Sequence, residues 1–304
     1  MIYQIYHKTA FEYQSMVTFS HNIVRLKPRQ TRFQTILDFH VDITPDAYEK
    51  HDFSDMFGNT NSHLLIRKAH KDLSVIARSR VEIFPEVLAL HVEHLKKQSM
   101  SYEKAMELLN GWSDEHTLMA KKYRFESPLI SKASSRIKAY ALESFHPKRD
   151  LFEAGYELMQ RIFHDFEFVA GFSDVTTPIE EIFEAKKGVC QDFTQFAIAA
   201  LRSLGLSAKY ISGYIETVPS EGEEKLFGVD ASHAWFALYI PGAGWMAYDA
   251  TNNLIPSSQH IFLGQGRDYS DIAPLKGVVM SSGSSNLHIA VDVKKEKAPQ
   301  EGCL

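Results

Sequence analysis

Gly188-Val189-Cys190-Gln191-Asp192-Phe193 is the stretch whose reading decides the fold. From Phe193 onward apolar residues recur at Ala197, Ala200, Leu201 and Leu204, the three-and-four spacing of a helix with one buried face, and Gly205 supplies a stop. Cys190 therefore falls in the first helical turn. There, unpaired backbone N–H groups and the positive end of the helix dipole stabilise a thiolate, the reactive form of the side chain. A cysteine nucleophile also needs a base to take its proton and an acceptor to orient that base.

Two later segments offer both. His233 to Ile240 and Gly244 to Ala250 read as strands rich in aromatic and aliphatic residues, joined by the hairpin signal Pro241-Gly242-Ala243-Gly244. Side chains alternate along a strand, so His233 and Trp235 share one face, as do Trp245, Ala247 and Asp249 on the other strand. An odd loop, with Ile240 opposite Gly244, sets Trp235 opposite Asp249. His233 is then the diagonal neighbour of Asp249, roughly 7–8 Å away at Cα and within imidazole–carboxylate reach. An even loop separates the two.

The runs GVCQDF (188–193), LRSLGL (201–206), YISGY (210–214), DASHAWF (230–236) and GWMAYDATNN (244–253) resemble the transglutaminase-like superfamily, whose members carry a Cys, His, Asp triad in that chain order. Carried over by position, the triad is Cys190, His233 and Asp249. Ala250 departs from the proline that usually follows the Asp, which bears on the local turn. The resemblance extends to Ile5-Tyr6-His7, Arg25-Leu26-Lys27-Pro28-Arg29, Phe57-Gly58-Asn59 and Gly266-Arg267-Asp268-Tyr269, which are similar to a bacterial subgroup with its own N-terminal β domain. Members of that subgroup are commonly described as cysteine proteases. The resemblance implies an α+β protein: an N-terminal β-sandwich-like domain, then a papain-like core of helices packed on an antiparallel sheet. It implies acyl transfer from an amide through a thioester, most simply hydrolysis of a peptide or isopeptide bond in a protein or peptide substrate. A transamidase, or a non-catalytic interaction module that kept the fold, is the alternative.

The rest of the chain agrees with a soluble protein of two packed domains: 304 residues, net charge −5 and 44% hydrophobic. No Lys/Arg stripe interleaved with aromatics suggests nucleic acid. Neither a signal peptide nor a run of roughly 20 apolar residues suggests a membrane. Two cysteines, Cys190 and Cys303, cannot build a disulfide framework, and a reducing, cytoplasmic setting is expected. Short alternating runs between turn signals predict a sandwich over about 1–85. Helical spacing follows from Ser101 to His164. The expected partition is 1–100 for the β domain, 101–293 for the core with its preceding helices, and 294–304 as a flexible tail. Leu287, Ile289, Val291 and Val293 alternate as a late strand. Thr177-Pro178-Ile179-Glu180 reads as a capped helix start delivering the chain to Cys190, and Ser220 to Lys225 as a polar loop at the rim of the site.

Each singled-out residue also has a plainer reading. A lone cysteine is more often a buried core residue, His233 could be a hydrogen-bonded strand histidine, and Asp249 a turn former. It is the three-part pattern that favours chemistry. Gln191 is a candidate oxyanion donor or a solvent-facing residue, and Asp192 is favoured by the helix dipole alone. Trp235 and Trp245 are pocket candidates that could equally fill core. His91 and His94 lack further ligands in a metal pattern, so no metal is expected.

Overall fold

A computed structural model describes residues 1–111, 114–216 and 232–296. The expected rim loop Ser220 to Lys225, Cys303 and the tail from 297 lie outside the described residues. The chain opens with six strands, β1 (Ile2–Val17), β2 (Phe19–Val24), β3 (Gln34–Thr44), β4 (Glu49–Ser54), β5 (Thr60–Ile66) and β6 (His70–Ile83). Among the described residues the α-helices that follow are α1 (Pro85–Lys97), α2 (Tyr102–Asn110), α3 (Glu115–Ala120), α4 (Ser135–Ser144), α5 (Leu151–Asp165), α6 (Ile179–Ala185) and α7 (Cys190–Ser203). The two-residue strands β7 (Glu167–Phe168) and β8 (Lys187–Gly188) flank α6. Then come β9 (Ala208–Ile215), β10 (Ser232–Ile240), β11 (Gly244–Tyr248), β12 (His260–Gly266), β13 (Leu275–Met280) and β14 (Ser285–Lys295).

The architecture is α+β. Two four-stranded antiparallel sheets, β14-β1-β6-β3 and β13-β2-β5-β4, form the strand-rich layer, and β11-β10-β9-β12 forms the core sheet on which the helices pack. In β6, Leu73, Val75, Ala77, Val81 and Ile83 point inward at every second position, which is why this sequence can serve one face of a sheet. Leu73, Val75 and Ala77 meet Val24, Leu26, Leu64 and Ile66 across the sandwich, while Val81 and Ile83 join a second cluster with Tyr3 and Ile5.

The chain crosses between layers at other points than 100 and 293. The strand-rich segment ends at Ile83, and α1, started by Pro85, packs against β11 of the core sheet. At the other end β13 pairs with β2 and β14 with β1, so residues 275–295 belong to the sandwich sheets and not to the core that precedes them. Lys294 and Lys295, expected in the tail, pair with Gln4 and Tyr3. Period-two alternation identifies a strand; it carries no information on which sheet completes it.

Helix α7 departs from the expected single apolar face: every residue from Asp192 to Arg202 is buried. The core sheet covers one side through β9 and β10, and α4, α5 and α6 cover the other. Phe196 fills the second side, packing on Tyr140 of α4 and Phe183 of α6, and Ala197, Ala199 and Ala200 are small buried residues along the helix. The start of α6 also shifts. Pro178 is the N-cap and has no side-chain bond, while Glu180 instead accepts from the Ser134 N–H (2.9 Å) and Ser134 Oγ (3.0 Å) at the head of α4.

Strand β12 is an edge of the core sheet, with backbone groups that need partners. Two side-chain amides from the sandwich supply them as an extra strand would. Gln34 donates to the Phe262 carbonyl (2.8 Å) and accepts from the Phe262 N–H (2.7 Å). Asn59 donates to the Gln265 carbonyl (2.7 Å) and accepts from the Gln265 N–H (2.9 Å). Buried His7 meets Tyr214 Oη at 2.9 Å. A small core of Tyr3, Ile5, Val81, Tyr214, Ile261, Val291 and neighbours fuses sandwich and core sheet.

Candidate active site

Cys190 is the first residue of α7 and is half-buried. Its position follows from Gly188 and Asp192. The Asp192 carboxylate folds back over Gly188, accepts the Val189 N–H at 2.8 Å and is bound by the Ser173 hydroxyl. A Cβ at Gly188 would stand 2.7 Å from Asp192 Oδ2, so only glycine leaves the carboxylate room. Burial pushes the Asp192 carboxyl up, against its hydrogen bonds. Asp192 thus does more than answer the helix dipole: it closes the turn that presents Cys190. The N–H of Cys190, in the first turn, has no intrahelical acceptor and is available to an oxyanion.

The hairpin has the odd loop. Ile240 pairs with Gly244 and Phe236 with Tyr248, the register that continues to Trp235 opposite Asp249. Ala234, Phe236 and Leu238 face α7 and its core, while His233 and Asp249 stand at the end of the sheet. His233 Nε2 lies 2.7 Å from Asp249 Oδ2. Cys190 acts on the same ring and helps to raise its pKa; with Nε2 on Asp249, Nδ1 is the nitrogen left to face it. The structure therefore brings Cys190, His233 and Asp249 together.

Asp249 is fully buried and accepts five hydrogen bonds. Thr251 N–H (3.0 Å) and Asn252 N–H (3.2 Å) bind Oδ1; His233, Asn252 Nδ2 (2.7 Å) and His260 Nε2 (3.0 Å) converge on Oδ2. The turn forms with Ala250 in place of proline, closed by backbone bonds between Asp249 and Leu254. Burial would raise the Asp249 carboxyl, yet the His233 and His260 bonds hold it well below the usual carboxylate range. For His233 burial opposes the charged ring, but the bonds to Asp249 and Cys190 prevail and hold it up at about 10. His260 goes the other way: burial lowers it, more than Asp249 restores. The Ser257 N–H donates to His260 Nδ1 at 3.2 Å, so the network assigns the proton of a neutral His260 to Nε2, facing Asp249.

His260 and Asn252 complete the hydrogen-bond network on Asp249, and sequence reasoning missed both. Asn252 was in view only as part of the 244–253 run. His260 carries no spacing signal, since it reaches Asp249 through the β10-β9-β12 strand order. His233, Asp249 and His260 offer ligand atoms within 4.8 Å of one another, a geometry a cation could use. A metal on His260 Nε2 would move its proton to Nδ1, against the Ser257 N–H, so the donor set fits a hydrogen-bonded carboxylate better than an ion.

The pocket candidates separate from the triad. Gln191, the second residue of α7, is half-buried beside Cys190. Trp235 is buried, edge-on to His260 at 5.2 Å and tilted to His233 at 5.9 Å. A Cβ at Gly213 would overlap the Trp235 ring and the Ile261 carbonyl, so this glycine makes room for the indole. Trp245 packs on Tyr123 and Tyr239, each at 5.0 Å. Both indoles line a large cavity on the sheet face away from α7, whose walls include His260 but neither Cys190 nor His233. Of His91 and His94, the second is exposed and the first lines that cavity.

A cysteine at a helix start, a strand histidine and a carboxylate just past the following strand, beside a strand-rich domain, define a class of protein, and comparison with known sequences agrees. Residues 3–82 match the bacterial transglutaminase-like N-terminal region, and residues 138–250 match the transglutaminase-like superfamily. The uncharacterized protein Rv2569c of Mycobacterium tuberculosis is 32% identical over 304 residues, spanning 99% of this chain and 93% of that protein. The chain belongs to the transglutaminase-like superfamily. ML0607 of Mycobacterium leprae, also uncharacterized, is 27% identical over 292 residues, spanning 96% of this chain and 98% of its own. In three dimensions the chain is similar to a candidate cysteine protease from Cytophaga hutchinsonii, with a TM-score of 0.71 and 20% identity over 98% of this chain and 92% of the other. That likeness speaks for the fold. Among the described residues, no helix is long and apolar enough to cross a membrane.

Proposed function

We propose that the protein is a thiol-dependent hydrolase that cleaves peptide or isopeptide amides through a thioester. The observation that carries this reading is the His233 ring held at 2.7 Å from buried Asp249, with Cys190 at the start of α7 acting on the same ring. With His233 held up at about 10, the ring carries its proton at neutral pH, and the reacting form of a cysteine nucleophile is the thiolate. Cys190 Sγ bonds to the substrate carbonyl carbon, and the C–N bond breaks as His233 gives its proton to the leaving amine. Water then gives a proton to His233 and attacks the thioester; the C–S bond breaks, releasing the acid and restoring the thiolate. The free Cys190 N–H is aimed to hold the oxyanion of both tetrahedral species, and Asp249 keeps the ring oriented and offsets its charge. A reducing compartment keeps such a thiol free, so we place the protein in the cytoplasm.

The test is turnover of a peptide library and of isopeptide-linked substrates by wild type, Cys190→Ala and Asp249→Asn, with and without a competing primary amine. Cys190→Ala is expected to abolish turnover. Asp249→Asn should stay folded and lose rate by less than the roughly 10⁴-fold known for the serine-protease analogue, because a thiol needs less help than a hydroxyl. Equal turnover by wild type and Cys190→Ala sinks the reading. Product joined to the amine rather than to water makes the protein a transamidase, and no turnover of any acyl substrate favours the interaction module.

A further inference from the structure

The cavity beyond the triad has about 770 Å³ of room, within the range of small-molecule sites. Its floor is the core-sheet face opposite α7, and its walls come from α1, the segment 114–123 and the sandwich residues Arg29 to Phe33 and Phe57. Four of its lining residues are Arg29, Arg32, Lys122 and Lys209, against one carboxylate, Asp114. That carboxylate is engaged elsewhere, accepting the Thr117 N–H (3.0 Å) and Thr117 Oγ1 (2.7 Å) at the head of α3.

Lys209 is the unusual member. It is only 6% exposed, its ammonium meets one polar partner, Gln265 Oε1 at 2.6 Å, and it stands 4.3 Å over the Trp245 ring. Arg29 binds the Phe57 carbonyl (2.8 Å) and Asn59 Oδ1 (3.3 Å), and Lys122 binds the Met56 carbonyl (3.0 Å). Among the described residues none of the three has a carboxylate at ion-pair distance. Asp55 acts on Arg29 and Lys122 only through space. Burial, with Arg29 and Lys122 as like charges, pushes the Lys209 amine well down. Buried charge without a counter-ion is costly, and an anion seated among the three side chains offsets Arg29 and Lys122 and favours the ammonium form of Lys209. Much of the remaining wall is aromatic or apolar, including Trp245, Trp235, Tyr239, Tyr123, Phe57 and Met119.

We propose that this cavity binds a small molecule carrying an oxyanion, carboxylate or phosphate, on a flat apolar body, with the oxyanion on Lys209, Arg29 and Lys122 and the body against Trp245 and Tyr239. The site is distinct from the acyl-transfer reading and does not depend on it. Its wall includes His260, so an occupant would touch the ring that holds Asp249.

The test is calorimetric titration of the full chain with 2-naphthoate, 2-naphthyl phosphate, 2-naphthalenemethanol and inorganic phosphate at fixed pH and ionic strength. One or both naphthyl oxyanions should bind at a single site at least about tenfold tighter than the alcohol, and tighter than inorganic phosphate. The tighter of the two names the oxyanion. Lys209→Met should weaken that ligand by at least about tenfold and leave the alcohol within about twofold, with Lys122→Met giving the same pattern should Lys209→Met not fold. Trp245→Leu should weaken all three naphthyl compounds. Equal affinity for alcohol and oxyanions, binding unchanged in both lysine variants, or no binding of any naphthyl compound at millimolar concentration would overturn the proposal.

Discussion

Asp249 bonds two imidazoles, one raised by its partners and one lowered by burial, and this sets what single substitutions should do. His260 delivers one of the three bonds on Asp249 Oδ2. Replacing it with Phe leaves a buried carboxylate one donor short, a loss of about 1.5–3 kcal/mol for a bond to a charged group. A urea titration should show that loss, and His260→Gln, which can still donate, should recover part of it; equal midpoints for wild type and His260→Phe would refute the account. The pH dependence follows from the shifts. His233 is raised above its unfolded value of about 6.5, so its contribution is complete below that pH and is lost as pH rises through about 10. Asp249 is depressed, so its contribution stands above about pH 4 and is lost in acid. The stability gap between wild type and Asp249→Asn should therefore narrow from pH 7 toward pH 10 in urea midpoints, and a constant gap would contradict the pairing. Cys190, His233 and Asp249 were legible because each sits in a local run with its own chemistry. His260 was not, because what brings it to Asp249 is the pairing of β12 with β9, a contact between distant segments.

At the scale of elements, short-range patterns read well where one segment decides its own state, and poorly where a side chain serves another segment. The helix after Cys190 was readable from its spacing, as was the hairpin from Pro241 to Gly244. That α7 would be enclosed on all sides was not, since an alanine-rich face looks the same whether bare or packed. Gly188 tests the local logic. In Gly188→Ala the new methyl meets Asp192 at 2.7–2.8 Å, so the carboxylate must release the Val189 N–H or the helix start must shift. A loss of roughly 1–3 kcal/mol is expected from the unsatisfied cap, read as a lower urea midpoint; a variant as stable as wild type would remove Asp192 from this role. Gln34 tests the long-range logic. No periodicity marks a glutamine that imitates a strand, yet Gln34→Met, similar in shape, orphans the Phe262 N–H while Arg29 N–H still serves the carbonyl at 3.0 Å. About 1–3 kcal/mol should be lost, with faster hydrogen exchange at β12 than elsewhere in the core sheet.

Over the whole molecule, the expected sandwich and core are both present, but the chain closes the sandwich with its last described strands. Val291 and Val293 of β14 are fully buried beside Tyr3, Ile5, Ile261 and Leu263, a core drawn from both ends of the chain and from the core sheet. The motifs around Ile5-Tyr6-His7, Arg29 and Asn59 are explained by the same joint: His7 binds Tyr214, and Arg29 and Asn59 bind the β12 edge. Sandwich and core sheet thus share apolar surface and buried hydrogen bonds, so they should unfold together. Removing residues 275–304 tests this. It strips β14 from β1 and β13 from β2, exposing two strand edges that can pair with other chains. It also uncovers the shared core, whose loss reaches Tyr214 and Ile261 and hence β9 and β12, the strands that place His260 behind Asp249. The truncated chain should therefore lose its cooperative melt in circular dichroism and run as aggregate on size exclusion, while the full chain gives one calorimetric transition. A truncated protein that melts at the wild-type temperature as a monomer would show instead that the core stands without its returning strands.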